Sequence, residues 1–383
     1  MSALIASTRV VTGDTGPEAR PLTLLVEQGR IAEVRPGIDP RAEVVDAWVV
    51  PGFVDTHCHG GAGCDLAADD PAGVSASIDF HRRHGSTTLF ASTVTEPVDE
   101  VLTQIGRLRP LVEAGELDGI HLEGPFLSEA KKGAHNASLL VDPADDIVER
   151  ILQASGGTVR MVTLAPERGN GIQATMALSE AGVAVAFGHS DADEVTTRAS
   201  VDAGASVVTH LFNAMRPIHH REPGPIPFLL SDDRVMVELI CDGTHLHPDV
   251  IAMAVEAAGI HRVGLVTDAM SATGQPDGDY RLGSLTVAVR DGVAKLLGDD
   301  GTLGAIAGST LTMAGAVEYV VGTVGREVGE AAIMAATTPA RWHGLDEVGQ
   351  LVAGRHADLC VVDDSGALLR VMRRGDWLEG VGA

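Results

Sequence analysis

Apolar residues along this chain gather into short, β-branched runs separated by longer stretches of helical periodicity. The runs lie at Gly52–Asp55, Thr87–Ala91, Ile120–Glu123, Val159–Leu164, Val183–Phe187, Ser206–His210, Val235–Ile240 and Val263–Asp268. Brief, nearly continuous apolar runs are what a strand buried on both faces requires. Between them, Pro71–His84, Val98–Glu113, Pro143–Ala154, Ile172–Ala181, Asp193–Ala203 and Asp249–Ala258 read as helices. Strand and helix in alternation predict a parallel sheet, and eight repeats predict a closed (β/α)8 TIM barrel.

The chain ends break this rhythm. Leu4–Val11, Leu22–Val26, Arg30–Val34 and Val44–Val50 read as strands, with a turn at Gln28-Gly29. Gly349–Val362 and Leu368–Arg374 have the same character, around turns at Gly354 and Asp364-Ser365-Gly366. They predict a small β-sandwich domain built from both chain ends, residues 1–50 and 346–383, flanking a barrel over 51–345. Tyr280–Leu297 reads as a hairpin turned at Arg290-Asp291-Gly292, inserted after the eighth strand and followed by a helix from near Ser309.

The length of 383 residues accommodates such a plan, since a barrel takes about 250 residues. Charge then narrows the ligand. Acidic residues outnumber basic ones 53 to 28, for a formal charge of −25, which repels nucleic acid and anionic lipid, so neither is an expected partner. An anionic substrate would need a local basic pocket. Aromatic residues are only 3%, too few for stacking platforms, so a small molecule held by charge and hydrogen bonds is the better expectation. The four cysteines, Cys58, Cys64, Cys241 and Cys360, are scattered without a CxxC pair, which points to the cytoplasm. Met1–Val11 lacks a basic leader region and no later stretch reaches membrane-spanning length.

Candidate chemistry lies at the C-terminal ends of the predicted strands, where barrel enzymes build their active sites. His57 and His59 end strand one, Glu123 ends strand three, His189 follows strand five, His210 ends strand six and Asp268 ends strand eight. Singly, each has an ordinary explanation: a His-x-His accident, a glutamate that caps a helix or pairs with arginine, a hydrogen-bonded core histidine. Their coincidence at one end of the barrel favours a metal site, and imidazole with carboxylate suits zinc or iron better than magnesium. Cys58 points to the opposite strand face and reads as structural. His81 and His84 fall on a helix, His261, His343 and His356 in loops or the small domain, and His247 at a helix start, all read as surface or structural. His121 shares a strand face with Glu123, which suits core packing or support of the ligands.

At these residues the chain resembles the amidohydrolase superfamily, through Pro51-Gly52-Phe53-Val54-Asp55-Thr56-His57-Cys58-His59-Gly60 and Gly354-Arg355-His356-Ala357-Asp358-Leu359. Within it, the chain is similar to the family of N-acetylglucosamine-6-phosphate deacetylases. That narrower resemblance rests on His121-Leu122-Glu123-Gly124-Pro125-Phe126, Lys132-Gly133-Ala134-His135, Gly188-His189-Ser190, Thr209-His210-Leu211-Phe212-Asn213-Ala214-Met215, Arg221-Glu222-Pro223-Gly224, Asp242-Gly243-Thr244-His245 and Thr267-Asp268-Ala269.

The resemblance implies hydrolysis of the N-acetyl group of N-acetylglucosamine 6-phosphate to acetate and glucosamine 6-phosphate. Glu123, His189 and His210 would hold the principal metal, and Asp268 would act as base and then acid. His57 and His59 would hold a second ion, with Glu123 bridging and Asp268 beside it, giving one or two divalent ions of zinc or iron per chain. His135 is the candidate to polarise the carbonyl oxygen, with support of a ligand as its other reading. Asn213, Ala214, His219, His220 and Arg221 would supply donors to the phosphate, and His245 would contact the sugar or phosphate. For Arg221 the competing reading is a surface ion pair with Glu222. A homodimer with shared sites is expected.

Two alternatives stand beside this. Dihydroorotase-like or deaminase relatives often carry a bridging lysine at the end of strand four, but Thr163-Leu164-Ala165-Pro166-Glu167 has none. The other alternative, a catalytically silent barrel, is disfavoured by the presence of every ligand and of Asp268.

Overall fold

The structure is a computed structural model that describes residues 2–382. Its centre is a sheet of eight parallel strands: Phe53–Asp55, Ser86–Thr93, Gly119–Glu123, Val159–Leu164, Ala184–Phe187, Ala205–Val208, Met236–Ile240 and Val263–Val266, in sequential order. They are called barrel strands one to eight below. The seam between strands eight and one closes just past their ends. There the Asp268 N–H donates to the His57 carbonyl and the His59 N–H to the Ala269 carbonyl, both at 2.8 Å. Buried Asp55 reinforces the seam, accepting from Thr267 Oγ1 at 2.7 Å. This is the predicted TIM barrel.

The helices begin where local chemistry starts them. Asp70 caps Pro71–Arg83 by accepting from the Gly73 N–H, with Pro71 in the first turn. Asp193 caps Glu194–Asp202 through the Thr196 N–H. Asp145–Ser155 stops at Gly156, which takes the left-handed conformation (φ 53°) that a side chain disfavours. Among the described residues no helix is long and apolar enough to cross a membrane.

Strands from both chain ends share one further sheet, with the C-terminal strand Leu359–Val362 paired to the N-terminal strand Trp48–Pro51. The long strand Ser2–Val10 pairs with Arg20–Glu27 on one side. On the other it passes from Glu43–Val44 to Trp48–Pro51, so the sheet forks around a core of Ile5, Leu24, Ile31, Val49, Leu359 and Met372. That change of partner splits the run read as one strand over Val44–Val50. Of the expected strand Gly349–Val362, Leu359–Val362 forms the paired strand and His356 makes an isolated bridge to Arg30, because Gly349 and Gly354 hold positive φ and break the extended chain. The insertion after strand eight is larger than a hairpin. Gly278–Leu282, Leu285–Arg290, Val293–Leu297 and Leu303–Ile306 form a four-stranded antiparallel meander, and the following helix starts at Met313. The flanking strands carry Gly278, Asp279 and Gly304, whose low strand propensity hides them in the sequence.

Candidate active site

Period-two alternation along the barrel strands stacks the interior in layers. Met161, Ala186, Val207 and Met236 form an apolar cluster across strands four to seven. Two residues further along three of these strands the interior turns polar, at Thr163, Thr209 and Glu238. Thr163 Oγ1 lies 2.7 Å from Thr209 Oγ1 and 2.8 Å from His121 Nε2, and His121 Nδ1 lies 2.9 Å from Ser92 Oγ. Two residues beyond His121 comes Glu123, the centre of the site.

Imidazole Nε2 atoms converge on the Glu123 carboxylate. Oε1 lies 3.0 Å from His210, 3.2 Å from His189 and 3.6 Å from His57, while Oε2 lies 3.3 Å from both His59 and His135. Asp268 Oδ1 stands across from it, 3.2 Å from His59 Nε2 and 3.5 Å from His57 Nε2. All seven side chains are buried. His189, His210 and Asp268 hold φ of 47°, 30° and 49°. Left-handed backbone at non-glycine residues is costly and concentrates at functional sites. Here it turns each side chain off its strand end toward Glu123.

Ring partners assign the protons. The Nδ1 of His189 faces the Lys131 carbonyl at 2.9 Å, so Nδ1 carries hydrogen and Nε2 presents its lone pair to Glu123. His57 Nδ1 faces Glu238 Oε2 at 3.3 Å, with the same consequence. Nε2 atoms gathered on carboxylate oxygens need positive charge at that point, a proton or a metal ion, so this donor set fits a metal ion. His135 is opposite in sense. The Thr95 N–H donates to its Nδ1 at 3.3 Å, which leaves the hydrogen on Nε2. His135 is therefore a donor into the cavity rather than a ligand, although Glu123, His135 and His189 also lie close enough to surround an ion. His57, His59 and Asp268 form a second such group.

Electrostatics agree. Burial opposes charge on His57, but Asp268 and Glu123 outweigh it and raise the pKa well above the imidazole norm. His59 is raised to about 9 by the same carboxylates against the same burial. Burial works to raise Glu123 and Asp268, yet His57 and the other rings hold both below the carboxylate norm. For His135 burial wins over Glu123 and lowers the pKa to about 4, so the ring stays neutral. A site that favours carboxylate anions and positive charge between them suits a divalent cation.

Above this centre is a cavity of ≈ 310 Å³. Asn213, Ala214 and His245 line it with His59, Glu123, His135, His189, His210 and Asp268. Burial opposes charge on His245, but Asp242 Oδ2, 2.7 Å from Nδ1, raises its pKa. Ala214 has φ 50°, and the Asn213 side-chain amide turns back to the His210 carbonyl at 3.2 Å. Arg221 and His220 are not among these residues. They are exposed on the loop that follows, paired with each other at 2.7 Å, because 217–222 runs out over solvent before the short helix Ile226–Ser231. No Arg221–Glu222 ion pair forms among the described residues. His81 and His343 are buried in the core, and His247 caps a helix as a structural residue.

Sequence reasoning missed several parts. Glu238 behind His57 was concealed in an apolar strand, where a lone glutamate was the available signal. The meander supplies Leu282, Ala305 and Ile306 to the cavity wall, and Gly308 just after it joins them.

The sequence profile of the Amidohydrolase family matches residues 48–378. The chain belongs to the amidohydrolase family. Among curated amidohydrolases, it is 34% identical to an N-acetylglucosamine-6-phosphate deacetylase from Lysinibacillus sphaericus, over 98% of this chain and 97% of that one. It is 35% identical to an N-acetylgalactosamine-6-phosphate deacetylase from Escherichia coli O157:H7, over 93% of each. Among solved structures, it matches a Mycobacterium smegmatis N-acetyl-D-glucosamine-6-phosphate deacetylase, an aspartate-to-alanine variant in complex with N-acetyl-D-glucosamine-6-phosphate. That match has a TM-score of 0.92 and 45% identity, covering 98% of this chain and 99% of the other.

Proposed function

We propose that this amidohydrolase removes the acetyl group of N-acetylglucosamine 6-phosphate, releasing acetate and glucosamine 6-phosphate. The observation that carries the reading is the opposed set of imidazoles around Glu123, lone pairs from His57 and His189 against the single Nε2–H of His135, in a cavity of ≈ 310 Å³. The relatives' activity on acetylated sugar phosphates supports the choice of substrate.

Glu123, His189 and His210 would hold one divalent ion, and His57 and His59 a second, with Glu123 shared; zinc and iron suit these donors. When bound, the ions supply Lewis acidity that polarises the amide and acidifies water. Asp268 Oδ1 takes the proton from the attacking water and returns it to the departing amine nitrogen. His135 Nε2–H donates to the carbonyl oxygen as it gains charge. His245, raised in pKa by Asp242, and the Ala214 and Asn213 backbone orient the sugar phosphate. Arg221 and His220, exposed on the rim, complete the phosphate site in a homodimer, where a second copy brings such a loop to the neighbouring cavity. The four free cysteines support a cytoplasmic enzyme, and residues 51–345 form its catalytic barrel, with 1–50 and 346–383 as the supporting domain.

The galacto epimer is the second reading, favoured by the E. coli relative. Amine release from N-acetylglucosamine 6-phosphate, N-acetylgalactosamine 6-phosphate and N-acetylglucosamine tests both. The expected order places the phosphorylated glucosamine first and the plain sugar far below. Equal rates with and without phosphate overturn the substrate assignment, and a higher rate on the galacto sugar replaces it with the second reading.

A further inference from the structure

Glu238 lies in the middle of barrel strand seven with no exposed surface. Barrel interiors are filled mainly by branched apolar side chains, and a buried carboxylate needs partners. Among the described residues no lysine or arginine pairs with it. Its partners are Thr56 Oγ1, which donates to Oε1 at 3.2 Å, and His57 Nδ1, 3.3 Å from Oε2. Among the described residues its carboxylate makes no hydrogen bond or ion pair with Glu123, His189 or His210.

The Nδ1 environments divide the centre. His189 is held by the peptide carbonyl of Lys131, whereas Nδ1 of His59 and of His210 meets no partner among the described residues. Of these four rings, His57 alone is held by a carboxylate. A carboxylate behind a ligating imidazole fixes its tautomer and orientation and strengthens it as a donor. Resting on the two-ion reading above, we infer that Glu238 is a positioning residue. It turns His57 so that the Nε2 lone pair faces Glu123 and Asp268, and thereby sets the affinity of the His57/His59 half for its ion without touching the other half.

The test counts ions in the full-length, zinc-loaded protein across a series of chelator concentrations, for wild type, Glu238→Gln, Glu238→Asp and Thr56→Val. Glu238→Gln keeps the shape and removes the charge. It should release one ion at about 10- to 100-fold weaker chelation than wild type, with the other ion and the melting temperature nearly unchanged. Glu238→Asp, which keeps the charge, should lie between them. If Glu238→Gln fails to fold, Thr56→Val carries the test, since it removes the hydroxyl that orients the carboxylate; one ion should still loosen selectively. Unchanged retention of two ions, or equal weakening of both with a lowered melting temperature, overturns the proposal. One ion in the wild type overturns the two-ion reading itself, and this inference with it.

Discussion

His135→Ala separates the two roles open to a histidine beside a metal centre. The Thr95 N–H fixes the hydrogen of His135 on Nε2, which points into the cavity 3.3 Å from Glu123 Oε2. Its pKa of about 4 keeps the ring neutral through the working pH range. One preorganised donor to a developing oxyanion contributes about 2.7–4 kcal/mol, so the variant should lose on the order of 10²–10³ in kcat. Because the N–H occupies the atom a ligand would need, the ion content should not change. The assay is paired: steady-state amine release from N-acetylglucosamine 6-phosphate, and metal analysis of the same preparation. Loss of an ion in step with activity would make His135 a ligand and refute the proton assignment. Near-normal kcat with full metal content would remove it from the chemistry.

Asp268→Asn keeps the shape and takes away the proton acceptor, so turnover should fall about 10²–10⁴-fold with metal retained; near-normal turnover in single-substrate kinetics would assign the base elsewhere. Arg221→Ala should reduce the preference for the phosphorylated over the plain sugar by about 10–100-fold, the loss of one charge-assisted hydrogen bond, with the rate on the plain sugar unmoved; an unchanged ratio returns Arg221 to a surface role. Asp358 is almost fully buried, and burial outweighs its bond from the Arg374 N–H to raise the pKa to about 6. A folded pKa above the unfolded one means stability is fully present below about pH 4 and lost as pH rises through 6, by up to about 3 kcal/mol. Asp358→Asn should flatten that slope in denaturant titrations between about pH 4 and 6.5, and a parallel slope would contradict it.

How much of this was legible in the sequence follows from what each element depends on. The eight barrel strands were visible because burial on both faces leaves mostly apolar residues, as in Ala184–Phe187 and Val263–Val266. The candidate site was visible because His57, Glu123, His210 and Asp268 interrupt that apolarity at the strand ends. What pairing alone decides was not visible. The fork of Ser2–Val10 between two partners, and the outer strands of the meander, depend on contacts that no local pattern records. The exposure of Arg221 and His220, outside the cavity lining, was hidden for a related reason: a motif names residues, while the path of the 217–222 loop depends on its surroundings.

The interior of the barrel shows why the site stands where it does. Apolar Met161, Ala186, Val207 and Met236 make one level. Thr163, Thr209 and Glu238 follow two residues on, and the strand-end histidines and carboxylates crown them. The middle level is the unusual one, because hydroxyls and a carboxylate replace the branched side chains that normally fill a barrel. Each polar group there is satisfied by a neighbour: Ser92 takes the Cys58 N–H at 3.0 Å and meets His121, whose ring stands edge-on to His57 at 4.5 Å between centroids. A hydrogen-bonded floor fixes direction, which apolar packing does not. Burial holds His121 neutral, so the floor adds no positive charge beneath the strand-end residues. Directional support without competing charge is what a cluster of imidazoles and two carboxylates needs from the layer below, and it explains why this barrel gives up apolar packing at that level.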